Sequence, residues 1–168
     1  MAQVRREAQT SGRAQTSGTV ISIHTAPEAG VPMASLVEVH ALAGAGLEGD
    51  RYFRGIGTYS GGDESGRQIT LIEGEALQAA SVETGLNIQP RDSRRNIVTE
   101  GINLNDLVGR DFQVGGVRVR GLELCEPCSH LAELAGKPLI RSLVHRGGIR
   151  ADILSDGIIR VGDSVEVD

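Results

Sequence analysis

The stretch Asp111-Phe112-Gln113-Val114-Gly115-Gly116-Val117-Arg118-Val119-Arg120-Gly121-Leu122-Glu123-Leu124 places two alternating apolar segments on either side of a glycine pair. Alternation with a period of two is typical of a strand with one buried face, so residues 111–114 and 117–124 are predicted strands. Gly115 and Gly116 both accept the positive φ angles of a two-residue loop. The stretch therefore predicts a tight β-hairpin.

Short apolar segments bounded by turn residues recur on both sides of this hairpin. They predict strands that begin near Thr19 and lie at 31–41, 67–72, 96–98, 151–154, 158–161 and 165–167. The segments 151–154 and 158–161 flank Asp156-Gly157, so we expect them to pair with each other. Many short strands with glycine turns indicate a mostly β barrel with a few short helices, rather than a parallel sheet.

One helix is predicted directly after the strand at 67–72. Its apolar face is formed by Ala76, Leu77 and Ala80, and it ends near Gly85. Thr70 and Glu73 have the spacing of a capping box, in which each side chain satisfies a backbone N–H group at the helix start.

The hairpin runs on into Leu124-Cys125-Glu126-Pro127-Cys128, which holds the only two cysteines of the chain. Proline is tolerated in the first turn of a helix, so a short helix is predicted to begin here and to continue over 129–135. Cys128 then lies at a helix N-terminus, where unsatisfied N–H groups and the helix dipole favour a thiolate. A thiolate is a nucleophile and also a soft metal ligand.

Three other interpretations of the cysteines stay open at this point. A buried free cysteine is often inert. A C-x-x-C pair also suits a thioredoxin-like redox centre, although the expected βαβ pattern is missing. Half of a zinc site is the third interpretation, and it would need two further ligands from a set without regular spacing, His24, His40, His130 and His145.

Length and charge restrict the remaining classes. The 168 residues suffice for one domain, and the net charge of -5 argues against a general nucleic-acid binder. No stretch approaches the ~20 apolar residues of a membrane span, and the start lacks a signal peptide, so we expect a cytoplasmic protein that does not bind a membrane and has reduced thiols. The repeated Ala-Gln-Thr-Ser-Gly at 8–12 and 14–18 predicts a disordered tail over 1–18 and a folded domain over 19–168.

Six short motifs follow one another along the chain. They are Gly46-Leu47-Glu48-Gly49-Asp50-Arg51, Arg67-Gln68-Ile69-Thr70-Leu71-Ile72, Arg95-Asn96-Ile97-Val98, Cys125-Glu126-Pro127-Cys128, His145-Arg146-Gly147-Gly148-Ile149-Arg150-Ala151 and Val161-Gly162-Asp163. In this order they resemble the MOSC domain, named for the C-terminal region of molybdenum cofactor sulfurase. The resemblance spans about residues 19 to 167.

The resemblance implies a β-barrel that binds the molybdenum cofactor, molybdopterin, with Cys128 as metal ligand and catalytic residue. A further set of residues is implied to bind the phosphate and pterin of the cofactor: Arg51, Arg67, Arg95, Asn96, Arg146, Gly147, Gly148 and Arg150. Within this set we expect Arg95 and Arg146 to hold the phosphate, because guanidinium forks form charge-assisted hydrogen bonds. Asn96 is expected either to contact the pterin or to close a turn.

Two functions fit this resemblance. One is a small oxidoreductase that reduces N-hydroxylated or similar N-oxygenated small molecules and takes electrons from an external flavin or iron-sulfur protein. The other is a carrier or sulfur-transfer module in which Cys128 holds the cofactor or a persulfide and Cys125 resolves it. The pyridoxal phosphate of the larger sulfurases is not expected here, since the only lysine, Lys137, lies in a connector between Gly136 and Pro138.

Overall fold

The computed structural model describes residues 16–53, 67–127 and 140–168. Two α-helices and two 3-10 helices (η) accompany the strands in these ranges. The elements in chain order are β1 (Ser17–Thr25), β2 (Ala34–Leu36), β3 (Glu38–Leu42), β4 (Gly46–Leu47), β5 (Ile69–Glu73), α1 (Gly74–Thr84), η1 (Pro90–Ser93), β6 (Ile97–Glu100), η2 (Leu104–Leu107), β7 (Asp111–Val114), β8 (Val117–Leu124), α2 (Ile140–Leu143), β9 (Ile149–Ile153), β10 (Gly157–Arg160) and β11 (Ser164–Val167).

Seven of the described strands form a closed barrel. Their order is β11-β7-β8-β9-β5-β6-β1, and β1 closes the sheet by pairing with β11, where Ser17 lies opposite Glu166. Every neighbouring pair is antiparallel except β5 and β6, which are parallel and are connected through α1. The predicted mostly β barrel is therefore confirmed.

The hairpin at 111–124 shows how the sequence fills the barrel. Val114 pairs with Val117 across Gly115-Gly116, as predicted. Because side chains alternate along a strand, Phe112 and Val119 point into the core and are fully buried. The barrel interior is apolar throughout, and a smaller apolar cluster lies on its outer side, where α1 and α2 cover Ile72 and Val98.

The predicted pairing of 151–154 with 158–161 is wrong. β9 lies between β8 and β5 in the barrel, whereas β10 pairs with β3 in a separate three-stranded sheet with β4. Asp156 contributes to this arrangement, because its Oδ1 accepts a hydrogen bond of 2.7 Å from the backbone N–H of Ala43, next to β3. The connecting turn is thus held by another part of the chain and does not close a hairpin.

Two further local predictions need correction. Thr70 lies inside β5, and its hydroxyl donates to Asn96 Oδ1 at 3.1 Å, so it does not cap α1. Glu73 is the N-cap of α1 but makes no side-chain capping hydrogen bond. The predicted strand at 31–41 is divided into β2, which pairs with β1, and β3, which belongs to the separate sheet.

Strand β1 begins at Ser17, two residues before the expected domain boundary. Residues 1–15 lie outside the described residues, and so does the helix predicted from Pro127 through 135, apart from Pro127 itself. In the parts of the chain that the structure describes, no helix has the length and apolar character needed to cross a membrane.

Candidate functional site

Two buried arginines lie beside the loop that connects β1 to β2. Arg51 is 7% exposed and Arg94 is 9% exposed. Arg94 Nη1 donates a hydrogen bond of 2.8 Å to the carbonyl of Val31, and Arg51 Nη1 contacts Met33 Sδ at 3.6 Å. The same loop therefore positions both guanidinium groups.

The charge of these two arginines is only partly compensated. Burial lowers the pKa of Arg94, and the positive charge of Arg51 lowers it further. Asp50 forms a 3.3 Å ion pair with Arg51, but the same carboxylate oxygen also accepts from the backbone of Ala26. Arg94 Nη2 is buried and has no hydrogen-bond partner in the described ranges. An unsatisfied charged donor in a buried position is costly, so the arrangement suits a bound anion.

Arg67 is a second arginine with an unpaired guanidinium nitrogen in the described ranges. Its Nη1 is buried and also lacks a hydrogen-bond partner among the described residues. The backbone just after Arg67 and the backbone just after Arg51 lie near each other, because a Cβ at Gly46 would lie 3.3 Å from the carbonyl oxygen of Gln68 and 3.5 Å from the Cα of Phe53. We refer to Arg51, Arg67 and Arg94 as the arginine cluster.

Asn96 connects three strands at the start of β6. Its Oδ1 accepts hydrogen bonds from the backbone and the hydroxyl of Thr70 in β5, at 3.0 and 3.1 Å. Its Nδ2 donates to the carbonyl of His24 in β1 at 3.1 Å. The side-chain amide is thus used within the barrel, and a pterin contact of Asn96 stays a prediction.

Arg95 is buried, and among the described residues its guanidinium binds backbone carbonyls only. Nε donates to Gly147 at 2.8 Å, Nη2 donates to Cys125 at 2.8 Å, and Nη1 donates to Ser93 at 3.3 Å. Three separated segments of the chain therefore meet at this one side chain.

The glycine pair at 147–148 allows the closest approach of these segments. A Cβ at Gly147 would collide with the carbonyl oxygen of Cys125, and a Cβ at Gly148 would collide with that of Leu71. The backbone N–H of Cys125 donates to the carbonyl of Gly148 at 2.7 Å. The glycines predicted for cofactor binding thus pack the turn against the end of β8 and against β5.

Arg146 lies on the outer side of the barrel, away from these backbone contacts. Its Nη2 pairs with Glu83 of α1 at 2.7 Å, and its Nε donates to the carbonyl of Ser142 in α2 at 3.0 Å. Arg146 also lines an open cavity of about 290 Å³. The other residues that line this cavity are Glu73, Glu75, Ala76, Ala79, Asn105 and His145. Arg150 lies on β9, 3.6 Å from Glu123. The structure therefore does not bring Arg146 into the arginine cluster.

The predicted metal ligand lies just beyond the described residues. Cys128 follows Pro127 directly and lies outside the described ranges. Cys125 is a free thiol, 2% exposed. Within the described ranges no group of three or more His, Cys, Asp and Glu side chains is arranged to hold a metal ion.

Sequence reasoning selected Arg95 for the phosphate and overlooked its neighbour Arg94. Arg94 ends η1 with a left-handed φ of 56°, which turns its side chain toward the β1–β2 loop, whereas Arg95 enters the packed backbone. The only sequence signal was the presence of two adjacent arginines before a short strand. Their different directions depend on a backbone angle that the residue types do not predict.

Comparisons with known proteins agree with this fold. A family model described as the MOSC domain matches residues 56–166. The YuaD protein from Bacillus subtilis has a similar structure, with a TM-score of 0.75 at 19% identity, covering 90% of this chain and 95% of that one. YiiM from Geobacillus stearothermophilus has a TM-score of 0.65 at 15% identity, covering 90% and 75%. YiiM from Escherichia coli has a TM-score of 0.64 at 16% identity, covering 90% and 69%.

A search of curated protein sequences gave no match. The family match covers well over half of the chain, and the similar structures carry the same fold. The chain belongs to the MOSC domain family.

Proposed function

We propose that this MOSC protein binds the molybdenum cofactor through its arginine cluster and reduces N-hydroxylated or similar N-oxygenated small molecules. The family is associated with this cofactor, which carries a phosphate group. The observation that carries the proposal is the pair of buried guanidinium nitrogens, on Arg94 and Arg67, that have no partner among the described residues. A phosphate supplies acceptor oxygens with the charge and geometry that these donors lack.

The donor set fits the cofactor better than it fits a structural role. Arg51 and Arg94 are about nine-tenths buried. Among the described residues, Asp50 forms an ion pair with Arg51. Buried guanidinium groups of a purely structural kind normally have a hydrogen-bond partner on every nitrogen, as Arg95 does. Arg51, Arg67 and Arg94 would therefore hold the phosphate end, and Cys128 would hold the metal.

The bound cofactor would supply a molybdenum centre that accepts oxygen from the substrate. In the overall reaction an N–OH group takes up two electrons and two protons, the N–O bond breaks, and an N–H group and water are formed. The electrons come from an external flavin or iron-sulfur protein in this proposal. In this proposal the protein binds the phosphate of the cofactor, supplies the Cys128 thiolate as metal ligand, and holds these two groups in fixed relative positions.

Burial of Cys125 favours this reaction over sulfur transfer. A sulfur carrier that used Cys125 to resolve a persulfide on Cys128 would need an accessible second thiol. Cys125 is 2% exposed, its N–H is bonded to Gly148, and its carbonyl is bonded to Arg95. The second thiol is thus held inside the structure.

A reduction assay tests the proposed activity. Protein from a molybdenum-replete host is mixed anaerobically with a reduced viologen dye and an N-hydroxylated amine, and the amine product is measured. We expect turnover by the wild-type protein and by Cys125→Ala, and none by Cys128→Ala. Molybdenum-loaded protein that consumes no N-oxygenated compound, but transfers sulfur to an acceptor, would contradict the proposal.

A further inference from the structure

We propose that Arg95 is a positioning residue, which holds Cys125–Pro127 against the Gly147–Gly148 turn and so fixes the chain that leads into Cys128. This role takes the place of the phosphate contact expected from the sequence. Its importance for a metal at Cys128 rests on the proposed function. The positioning itself concerns only described residues and is testable without any cofactor.

The first argument is the set of atoms that Arg95 binds. Its Nε and Nη2 each reach a carbonyl at 2.8 Å, on Gly147 and Cys125, and its Nη1 reaches Ser93 at 3.3 Å. These carbonyls come from the turn before β9, from the residue after β8, and from η1. A planar fork can bridge all three at once, whereas an ammonium group offers only a single point of charge.

The second argument is that little of Arg95 remains for a ligand. The side chain is 8% exposed, and Arg95 does not take part in any of the ion pairs between described residues. Three of its five N–H groups already donate to backbone oxygens. Carbonyl oxygens at the ends of secondary structure otherwise remain unsatisfied, so the guanidinium completes the hydrogen bonding of the segment.

The third argument is the tight packing of the two segments that Arg95 connects. The N–H of Cys125 donates to Gly148 at 2.7 Å, and Gly147 leaves no room for a Cβ beside the carbonyl of Cys125. Two hydrogen bonds of Arg95 and one backbone hydrogen bond thus fix residues 125 and 147–148 together. Pro127, the residue directly before Cys128 in the sequence, also lies at this junction of the two segments, because a Cβ at Gly147 would lie 3.2 Å from its Cδ.

The neighbouring Arg94 provides a matched control. It is equally buried, but its described side-chain hydrogen bond goes to Val31 in a different loop. Replacing Arg94 removes a buried charge of the same kind without touching Cys125 or Gly147. Any effect that is specific to the junction should therefore appear in Arg95 variants only.

The junction can be tested by alkylating Cys125 in the full-length chain. In a Cys128→Ser background Cys125 is the only thiol, and iodoacetamide reaches it only when the buried segment opens. We expect Arg95→Gln to accelerate alkylation in the absence of denaturant by at least about tenfold, since hydrogen bonds to a charged group are lost. This local opening should depend weakly on urea concentration, whereas alkylation of the parent should follow global unfolding.

The Arg94→Gln control should be alkylated at the parent rate, and Arg95→Lys should give an intermediate rate. Arg95→Gln at the parent rate would overturn the proposal. If Arg95→Gln fails to fold, Arg95→Lys decides. In that case Arg95→Lys must be alkylated faster than the parent by more than its loss of global stability explains. A smaller increase in the alkylation rate overturns the proposal.

A second readout separates positioning from cofactor binding. With Cys128 intact, Arg95→Gln should keep its pterin but show a lower ratio of molybdenum to pterin, whereas Arg94→Gln should lose the pterin itself. Equal loss of pterin in both variants would make Arg95 a ligand and overturn the proposal. Absence of pterin from the wild-type protein would count against the proposed function, and the alkylation rates would then decide the role of Arg95 alone.

Discussion

At the scale of single residues, two adjacent arginines have different partners. Within the part of the chain that the structure describes, one nitrogen of Arg94 has no hydrogen bond, while Arg95 donates to three separate carbonyls. The left-handed conformation of Arg94 separates the two side chains. An arginine with an unpaired buried nitrogen thus stands next to one that has a partner on every nitrogen, and the first is better suited to receive an anion.

If Arg94 binds phosphate, inorganic phosphate should stabilise the cofactor-free protein through it. We expect Arg94→Gln to weaken phosphate binding by about 1.5–3 kcal/mol, which is roughly tenfold to more than a hundredfold in affinity. The measurement is the rise of the melting temperature with phosphate at constant ionic strength. Arg110→Gln, which changes an exposed arginine before β7, is the control and should respond like the wild type. An unchanged response of Arg94→Gln would remove Arg94 from the site.

His24 makes the stability of the chain depend on pH. Burial lowers the pKa of His24, and the charge of Arg91 lowers it further, so the folded protein favours the neutral ring. In the unfolded chain His24 is protonated as the pH falls below about 6.5, whereas in the folded chain it takes up the proton only at lower pH. The free energy of unfolding should therefore decrease between about pH 6.5 and the lowered pKa of the folded state. Urea unfolding at pH 7.5 and 5.5 should show a smaller decrease for His24→Gln than for the wild type. An equal decrease for both chains would contradict this role of His24.

At the scale of elements, the hairpin at 111–124 was predictable because alternation and a glycine pair are local signals. The residues that build the site are different. Thr70 was assigned to a cap from its spacing to Glu73, but in the barrel its hydroxyl serves Asn96, 26 positions away. The pairing of β10 with β3 is likewise long-range, and no turn signal between 154 and 158 distinguishes it from a hairpin. Sequence patterns predicted most of the strands and the local pairing of β7 with β8, but not the long-range pairs.

The turn before β9 should be sensitive to a single methyl group. Gly148 and Gly162 have similar φ values of 89° and 95°, but only at Gly148 would a Cβ meet backbone, the carbonyl oxygen of Leu71. We expect Gly162→Ala to cost about 1–2 kcal/mol through the left-handed conformation alone. Gly148→Ala should cost about 1–3 kcal/mol more, because β5 has to shift. Urea unfolding of both variants measures the difference, and equal losses would contradict the tight packing at Gly148.

Closure of the barrel depends on the first described residues. Ser17 and Gly18 pair with Glu166 and Val165, and the carbonyl of Thr16 accepts from Val167. Deleting residues 1–15 should leave the melting temperature nearly unchanged. Deleting 1–18 should lower it by roughly 2–4 °C for each kcal/mol of lost pairing. Identical melting temperatures of the two truncated chains would show that these pairs add nothing to barrel stability.

At the scale of the whole molecule, the order of six short motifs was enough to predict the family and the barrel. Those motifs are scattered over more than a hundred residues, and the barrel brings several of them together around the β1–β2 loop, the end of β8 and the turn before β9. Arg146 and Arg95 were both expected to hold the phosphate, from the family resemblance and their guanidinium forks, but in the structure Arg146 pairs with Glu83 of α1. Proximity of this kind depends on the closed sheet and could not be predicted from spacing along the chain.

The central claim is that the arginine cluster and Cys128 hold a molybdenum cofactor. The most direct measurement is the content of molybdenum, pterin and zinc in protein purified from a molybdenum-replete host. We expect molybdenum and pterin in near-stoichiometric, equal amounts in the wild type and in Cys125→Ala, and pterin with little molybdenum in Cys128→Ala. Stoichiometric zinc without molybdenum or pterin, even after reconstitution with the cofactor, would contradict the claim.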